Sequence, residues 1–264
     1  MNDLIYAYCL SNTPPDLTRT DRYGGLRNVS AGGFYIIVKT VQEDEFSEEI
    51  LKTNLSDIQW LETHVREHVE VINLIMEQVT VIPFKFGTIY HTEERLRNFV
   101  GDYAESLAEN LLHLEQKEEW SVKIYCDRKT LCDQMDELSE EAAALERQIM
   151  ASSPGKAFLL KRKKSDLMIN EMDRLCKIYG QEYFDGFKAL SEATSLNNLL
   201  PKEYTGRNDE MILNAAFLVG KERTAGFILT AKTMKNKYAD IGFDVELTGP
   251  WPPFSFTSIT EKQQ

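Results

Sequence analysis

His64-Val65-Arg66-Glu67-His68 is the segment whose residue types and spacing come nearest to chemistry. It has the order H-x-x-E-H of the inverzincins. On a helix, positions i and i+4 share a face, so two imidazoles there can share a zinc ion. A third ligand is required, and Glu140 or Glu141 is available downstream. The competing reading is structural. His68 falls on the apolar stripe of its helix, where a histidine is more often a hydrogen-bonded core residue. Three fixed positions also arise easily by chance in a segment rich in Glu and His. A zinc-dependent hydrolase is therefore the alternative reading, and the expected sites contain no catalytic, cofactor-binding or metal residue.

Other chemical signatures are weaker. Lys161-Arg162-Lys163-Lys164 is the main basic cluster, but four consecutive helical residues point all round the axis and form no single binding face. Asp166, Glu171 and Asp173 stand nearby to offset it, so a solvated helix surface is expected. There is no G-x-G-x-x-G, no G-x-x-x-x-G-K-[ST] and no G-x-S-x-G. The acidic run Glu43 to Glu49 lacks the ligand spacing and central Gly of a calcium loop. Cys126 and Cys132 have neither redox-pair nor zinc-knuckle spacing, and with Cys9 and Cys176 they read as buried free thiols in a reducing compartment.

The composition narrows the class. The 264 residues carry 30 Lys and Arg against 42 Asp and Glu, a net charge of −12. That disfavours nucleic acid and anionic membrane surfaces as partners. With 42% hydrophobic and 27% charged residues the chain is an ordinary globule, long enough to fold without metal or disulfide. No apolar run approaches the length of a membrane span, and the N-terminus does not read as a secretory signal.

The elements that must position these residues follow from periodicity. Residues 4–10 and 34–41 read as strands, with Gly24-Gly25 and Gly32-Gly33 bracketing a short extended piece. Ser56 or Asp57 can cap a helix to about Glu77. Residues 79–86 read as a strand at an edge or interrupted at Pro83, which lacks an N–H. A helix is expected from Thr92 or Glu93 to about Leu114, and a strand over 119–126 with Trp120, Val122, Ile124 and Cys126 on one face. A boundary near 128 gives an N-terminal α+β domain, residues 1–128. Residues 129–264 form the second domain. Leu131, Met135, Leu138, Ala142, Leu145 and Ile149 step by four and three, Ser152-Ser153-Pro154-Gly155 turns, and a second helix runs to Ala193. This predicts an antiparallel helical hairpin over about 130–193. A strand at 211–219, a helix at 223–239, and strands at 243–248 and 254–259 complete a β-α-β-β layer over 211–260.

Two segments remain unusual. Pro83-Phe84-Lys85-Phe86-Gly87 sets two aromatics about a lysine at a strand end, and Gly249 to Phe256 holds three of the eight prolines beside Trp251 and Phe254. Such segments are pre-ordered and lose little entropy when a partner docks. Pro83, Phe84, Phe86, Trp251 and Phe254 are the candidate partner-contact residues. The competing reading is that each segment seals its own core.

At these residues the sequence resembles the gas vesicle protein F and L family. The matching blocks are Leu4-Ile5-Tyr6-Ala7-Tyr8, His68-Val69-Glu70-Val71-Ile72, Thr80 to Thr88, Val122-Lys123-Ile124, Asn214 to Val219, and Thr248-Gly249-Pro250-Trp251-Pro252-Pro253-Phe254-Ser255-Phe256. The last is the most specific, and the middle hairpin carries no matching signature. The resemblance implies two α+β domains, the C-terminal one a modified ferredoxin-like fold. It implies an accessory or minor structural protein of gas vesicle assembly that binds the small hydrophobic wall protein and keeps it from aggregating. Such a protein is cytoplasmic before assembly and then shell-associated, in some members on the gas-facing side. Other gas vesicle accessory proteins are further implied partners. No catalytic residue and no cofactor comes with the resemblance.

Overall fold

Strand β1 (Asp3–Ser11) is the spine of the first sheet. β2 (Leu26–Ala31) and β3 (Phe34–Gln42) form a hairpin beside it, and β4 (Ile82–Pro83) and β5 (Ile89–Tyr90) pair with its other side. The computed structural model describes residues 3–259. Gly32 and Gly33 connect the hairpin with φ of 56° and 86° between paired Ala31 and Phe34. A two-residue turn with both φ positive matches the strand twist, which explains the Gly-Gly. All β1 pairings are antiparallel, and the register with β3 slips between Ala7 and Cys9, a bulge at Tyr8.

Chain contacts divide the protein into two units. One takes the chain up to Glu119 and takes it up again from Pro250; the other is Trp120–Gly249. In the first unit, α1 (Glu43–Phe46) and α2 (Glu48–Asn54) follow β3 directly and take up the acidic run. α3 (Ile58–Met76) starts at Asp57, whose carboxylate accepts the Gln59 and Trp60 N–H groups, and buries His68, Val71, Ile72 and Ile75 against β1 and β3. The expected strand over 79–86 shrinks to Ile82–Pro83 at the sheet edge. The turn Lys85–Thr88 follows it closely, with the Thr88 N–H donated to the Lys85 carbonyl at 3.1 Å. The expected helix to Leu114 becomes α4 (Glu93–Asp102) and α5 (Ala104–Leu114). Tyr103 leaves helical geometry there, while the hydrogen bonds at its N–H and carbonyl persist.

The second unit holds the sheet β7-β8-β6-β9. β6 is Lys117–Cys126, β7 Ala193–Leu196, β8 Glu210–Gly220 and β9 Phe243–Trp251. Taken in chain order the sheet reads second, third, first, fourth strand. Helices follow the first and third strands, which is the split β-α-β of a ferredoxin-like layer. Its first strand is thus β6, which the expected boundary at 128 assigned to the first domain. The reason is packing: Trp120, Val122, Ile124 and Cys126 face the second unit's core. The second helix ends at Lys188 rather than Ala193, and β7, a strand the sequence reading did not foresee, begins at Ala193 where the expected hairpin ends. The expected final strand at 254–259 is a 3-10 turn at Phe254–Phe256 after two prolines.

The heptad stretch is three helices: α6 (Arg128–Asp133), α7 (Met135–Leu138) and α8 (Glu140–Met150). Ser139 is extended, and its hydroxyl accepts the Ala142 N–H, so capping restarts the helix. α9 (Pro154–Lys188) opens with Pro at its first position and packs on α8. Contacts of Lys164 with Asp136 and of Asp173 with Arg128 run in opposite chain directions, so α9 is antiparallel to the α6–α7 stretch. A short helix α10 (Lys202–Thr205) precedes β8, and α11 (Thr224–Tyr238) joins β8 to β9. Ser139→Ala is expected to cost about 1 kcal/mol in urea unfolding, with Ser139→Thr retaining most of it. A Thr variant as unstable as the Ala variant would refute the capping role.

Candidate functional site

His68 sits at the centre of the first unit's most chemical region, 1% exposed. Its Nε2 lies 3.0 Å from the Phe84 carbonyl oxygen and its Nδ1 3.0 Å from the Tyr6 hydroxyl. A carbonyl only accepts, so Nε2 carries the proton and Nδ1 accepts the Tyr6 O–H. The Tyr6 oxygen in turn accepts the Gly87 N–H at 3.2 Å. Burial holds the imidazole down to about 4, so it is neutral at neutral pH. Both ring nitrogens are therefore spent inside the fold.

This corrects the metal reading. His64 is also engaged, with Nδ1 at 2.8 Å from the Trp60 carbonyl and Nε2 at 3.3 Å from a Glu45 oxygen. Glu67 accepts from Tyr8 and Lys39, each at 2.9 Å. Glu140 and Glu141 belong to the first turn of α8 in the other unit, Glu140 paired with Arg147. Among the described residues no group of three or more His, Cys, Asp or Glu could hold a metal ion. A cavity of about 220 Å³ lies beside these groups, lined by Tyr6, Tyr8, Lys39, Glu45, His64 and Glu67. Burial pushes the Tyr6 and Tyr8 hydroxyls up, so neither supplies a phenolate.

The rings around His68 come from segments far apart in sequence. Tyr8 stacks on it at 5.5 Å, Phe86 meets it edge-on at 5.7 Å, and Phe254 stacks at 6.3 Å. Phe86 also meets Tyr6 and Trp60. The turn at Lys85–Thr88 places it: Gly87 has φ of 78°, as the third position of a type II turn requires. Phe84 goes elsewhere, 5% exposed and packed on Tyr90 and Phe99. Pro83 is buried in β4.

Of the five expected contact residues, Pro83 and Phe84 thus support the core and present no surface. β4 pairs with β1 on one side, and α5 packs against it. Phe86 is half-buried, and Trp251 and Phe254 are 39% and 37% exposed. Trp251 ends β9, and the Pro252-Pro253 pair then sets Phe254 into its turn. The turn is strapped down by Glu119, 6% exposed, whose carboxylate accepts the Ser255 N–H at 2.9 Å and hydroxyl at 2.7 Å. Burial raises the Glu119 pKa while the two Ser255 bonds oppose that rise. Asn110 of α5 holds Ser258 by two further bonds. Sequence reading missed Glu119, Tyr6 and Tyr8 as members of this site. Their i, i+2 spacing in the strand expected over 4–10 was the signal that could have set the two tyrosines on one face.

These features define a two-unit α+β protein whose most elaborate site is an aromatic cluster around a neutral, fully bonded histidine. The profile of the family "Gas vesicle synthesis protein GvpL/GvpF" matches residues 4–258, and the chain belongs to that family. It is 26% identical over 231 residues to gas vesicle protein L of Streptomyces sp. (strain CB03234), covering 88% of this chain and 82% of that one. It is 24% identical over 272 residues to gas vesicle protein L1 of Halobacterium salinarum (strain ATCC 700922 / JCM 11081 / NRC-1), covering 95% and 89%. The crystal structure of GvpF from Anabaena sp. PCC7120 shares the fold with a TM-score of 0.72 at 18% identity, covering 98% of this chain and all of that one. GvpF from Microcystis aeruginosa superposes with a TM-score of 0.66 at 17% identity, covering 97% and 99%. Family membership supports a part in gas vesicle formation, and among the described residues no helix is long and apolar enough to cross a membrane.

Proposed function

We propose that the chain is a non-catalytic assembly factor that binds the small hydrophobic wall protein of gas vesicles and keeps it from aggregating before it joins the shell. The observation that carries this is the aromatic cluster at His68. Blocks 4–8, 68–72, 80–88 and 248–256, which hold most of the family resemblance, supply its rings and its struts. All its polar groups are bonded internally, and it offers partly exposed rings instead of a free acid, base or nucleophile. Apolar faces and strand edges of a shell subunit aggregate unless covered, and rigid aromatics cover them at low entropic cost. The acidic chain keeps such a complex in solution. The factor acts in the cytoplasm and afterwards associates with the shell, on its gas-facing side.

Within this reading Trp251, Phe254 and the rim of Phe86 touch the wall protein. Trp251→Asp and Phe254→Asp are each expected to lower wall-protein capture in a pull-down by about tenfold, and to weaken suppression of its light scattering. Circular dichroism checks that each variant is folded. Folded variants with unchanged capture would remove this surface. Wild-type protein that binds the wall protein but leaves scattering unchanged would favour a plain shell component.

A further inference from the structure

Charge is segregated along this acidic chain. Residues 147–165, which end α8 and open α9, hold six Lys and Arg and no Asp or Glu. Residues 43–62, from α1 into α3, hold seven Asp and Glu against one cation, Lys52. On the hairpin, Lys164 turns inward to Asp136 and Glu146, and Arg147 pairs with Glu140. Lys156, Lys161, Arg162 and Lys163 are exposed and, among the described residues, hold no ion pair. At about 3.6 residues per turn, Phe158, Leu159 and Arg162 share the side of α9 opposite Leu160 and Lys164. Phe158 is 71% and Leu159 67% exposed, and Met150 at the end of α8 is 77% exposed. Exposed apolar side chains grouped within one patch mark a contact surface. The acidic segment has the matching composition: Ile58 is 79% exposed, Ile50 and Leu55 are exposed too, and so are Asp44, Glu48 and Glu49.

We propose that the α8–α9 hairpin tip of one copy of this chain docks on the acidic α2–α3 corner of a second copy. Each surface supplies the charge the other lacks, and both carry apolar side chains to bury. An anionic lipid surface would attract the tip's cations as well. The net charge of −12 opposes the approach of the whole molecule to such a surface, whereas the acidic corner concentrates that charge beside apolar groups. The two surfaces differ, so the contact is heterologous. Each docked pair keeps one unused tip and one unused corner, and the contact can repeat from copy to copy. Its charges are solvent-exposed and therefore screened by salt. It needs no wall protein, so it stands or falls apart from the assembly reading.

Sedimentation velocity of the full chain, over a concentration series at about 50 mM and about 500 mM salt, tests this. Reversible association is expected at low salt, weakened at least about tenfold at high salt. Phe158→Ser is expected to weaken it by about tenfold at either salt. Two charge-reversed variants, Lys161→Glu/Arg162→Glu/Lys163→Glu and Asp44→Lys/Glu48→Lys/Glu49→Lys, are each expected to be monomeric, with circular dichroism checking that they are folded. Mixed in equal amounts they should associate again, because every tip then meets a corner of opposite charge on the other variant. Wild-type protein that stays monomeric at low salt would overturn the proposal. So would reversed variants that self-associate like wild type, or a mixture that remains monomeric. Monomeric wild type that instead sediments with phosphatidylserine vesicles would also overturn it, and would assign the tip to lipid.

Discussion

His68→Ala is expected to destabilise the first unit by about 4 kcal/mol at pH 7, a large share of a domain's whole stability. The ring fills a fully buried site between β1, α3 and the turn at Gly87. Its removal leaves a cavity and strands two polar groups, the Tyr6 hydroxyl and the Phe84 carbonyl. It also removes the platform on which Phe254 and Phe86 rest. Hydrogen exchange in residues 3–119 is expected to rise, and wall-protein capture to fall with it. His68→Gln should recover much of the loss, because an amide can donate to the Phe84 carbonyl and accept from Tyr6. The pair of variants also isolates a pH effect. Burial lowers the folded pKa to about 4 from 6.5, so the histidine's contribution is complete above 6.5 and disappears as pH falls through 4. The stability difference between wild type and His68→Gln should shrink by about 3 kcal/mol across that window. An NMR titration in which His68 protonates near 6.5 would refute the closed network.

Much of this architecture is legible in the residues themselves. The extended piece that ends at Gly32-Gly33, the Asp57 cap and the inward face of Trp120 to Cys126 each follow from a local rule, whereas Pro154, read as part of a turn, is the first residue of α9. His68 is legible as well, since its place on an apolar stripe argued for a core histidine over a ligand. The errors share a cause. Periodicity sees the face a helix buries, but not where hydrogen bonding re-caps it. The 4-3 stripe from Leu131 to Ile149 is real in burial, while Ser139 cuts it. The alternation at 254–259 has the pattern of a strand, yet Pro252 and Pro253 cannot donate to a ladder. Ser255 answers to Glu119 from a segment over a hundred residues earlier. Such long-range pairs leave no spacing to read. For the same reason Phe84 and Phe86 looked alike as contacts until the turn at Gly87 sent them to different clusters.

Gly242→Ala is expected to destabilise the second unit by about 3 kcal/mol, and Gly242→Val by more. Gly242 caps the 3-10 turn after α11 and immediately precedes β9, with φ of 92°, a conformation that L side chains rarely adopt. That strain alone is worth about 1–2 kcal/mol. A Cβ there would also lie 2.9 Å from the Asp127 carbonyl oxygen, 3.1 Å from the Thr130 Cβ and 3.3 Å from the Leu131 nitrogen. These are backbone or near-backbone atoms of the capped start of α6, and they have little freedom to give. Asp127 cannot retreat cheaply, because its N–H is donated to the Gly242 carbonyl at 2.8 Å and its carboxylate accepts from Lys129 and Thr130. Gly206 supplies the control, with φ of 65° but no atom within 4 Å of an added Cβ. Gly206→Ala should show strain without clash, about 1 kcal/mol. Urea unfolding of both variants, with hydrogen exchange read over 120–249, separates the two effects. Equal losses at the two glycines would show that the contact between β9 and the α6 cap contributes nothing, and that backbone conformation alone requires glycine at 242.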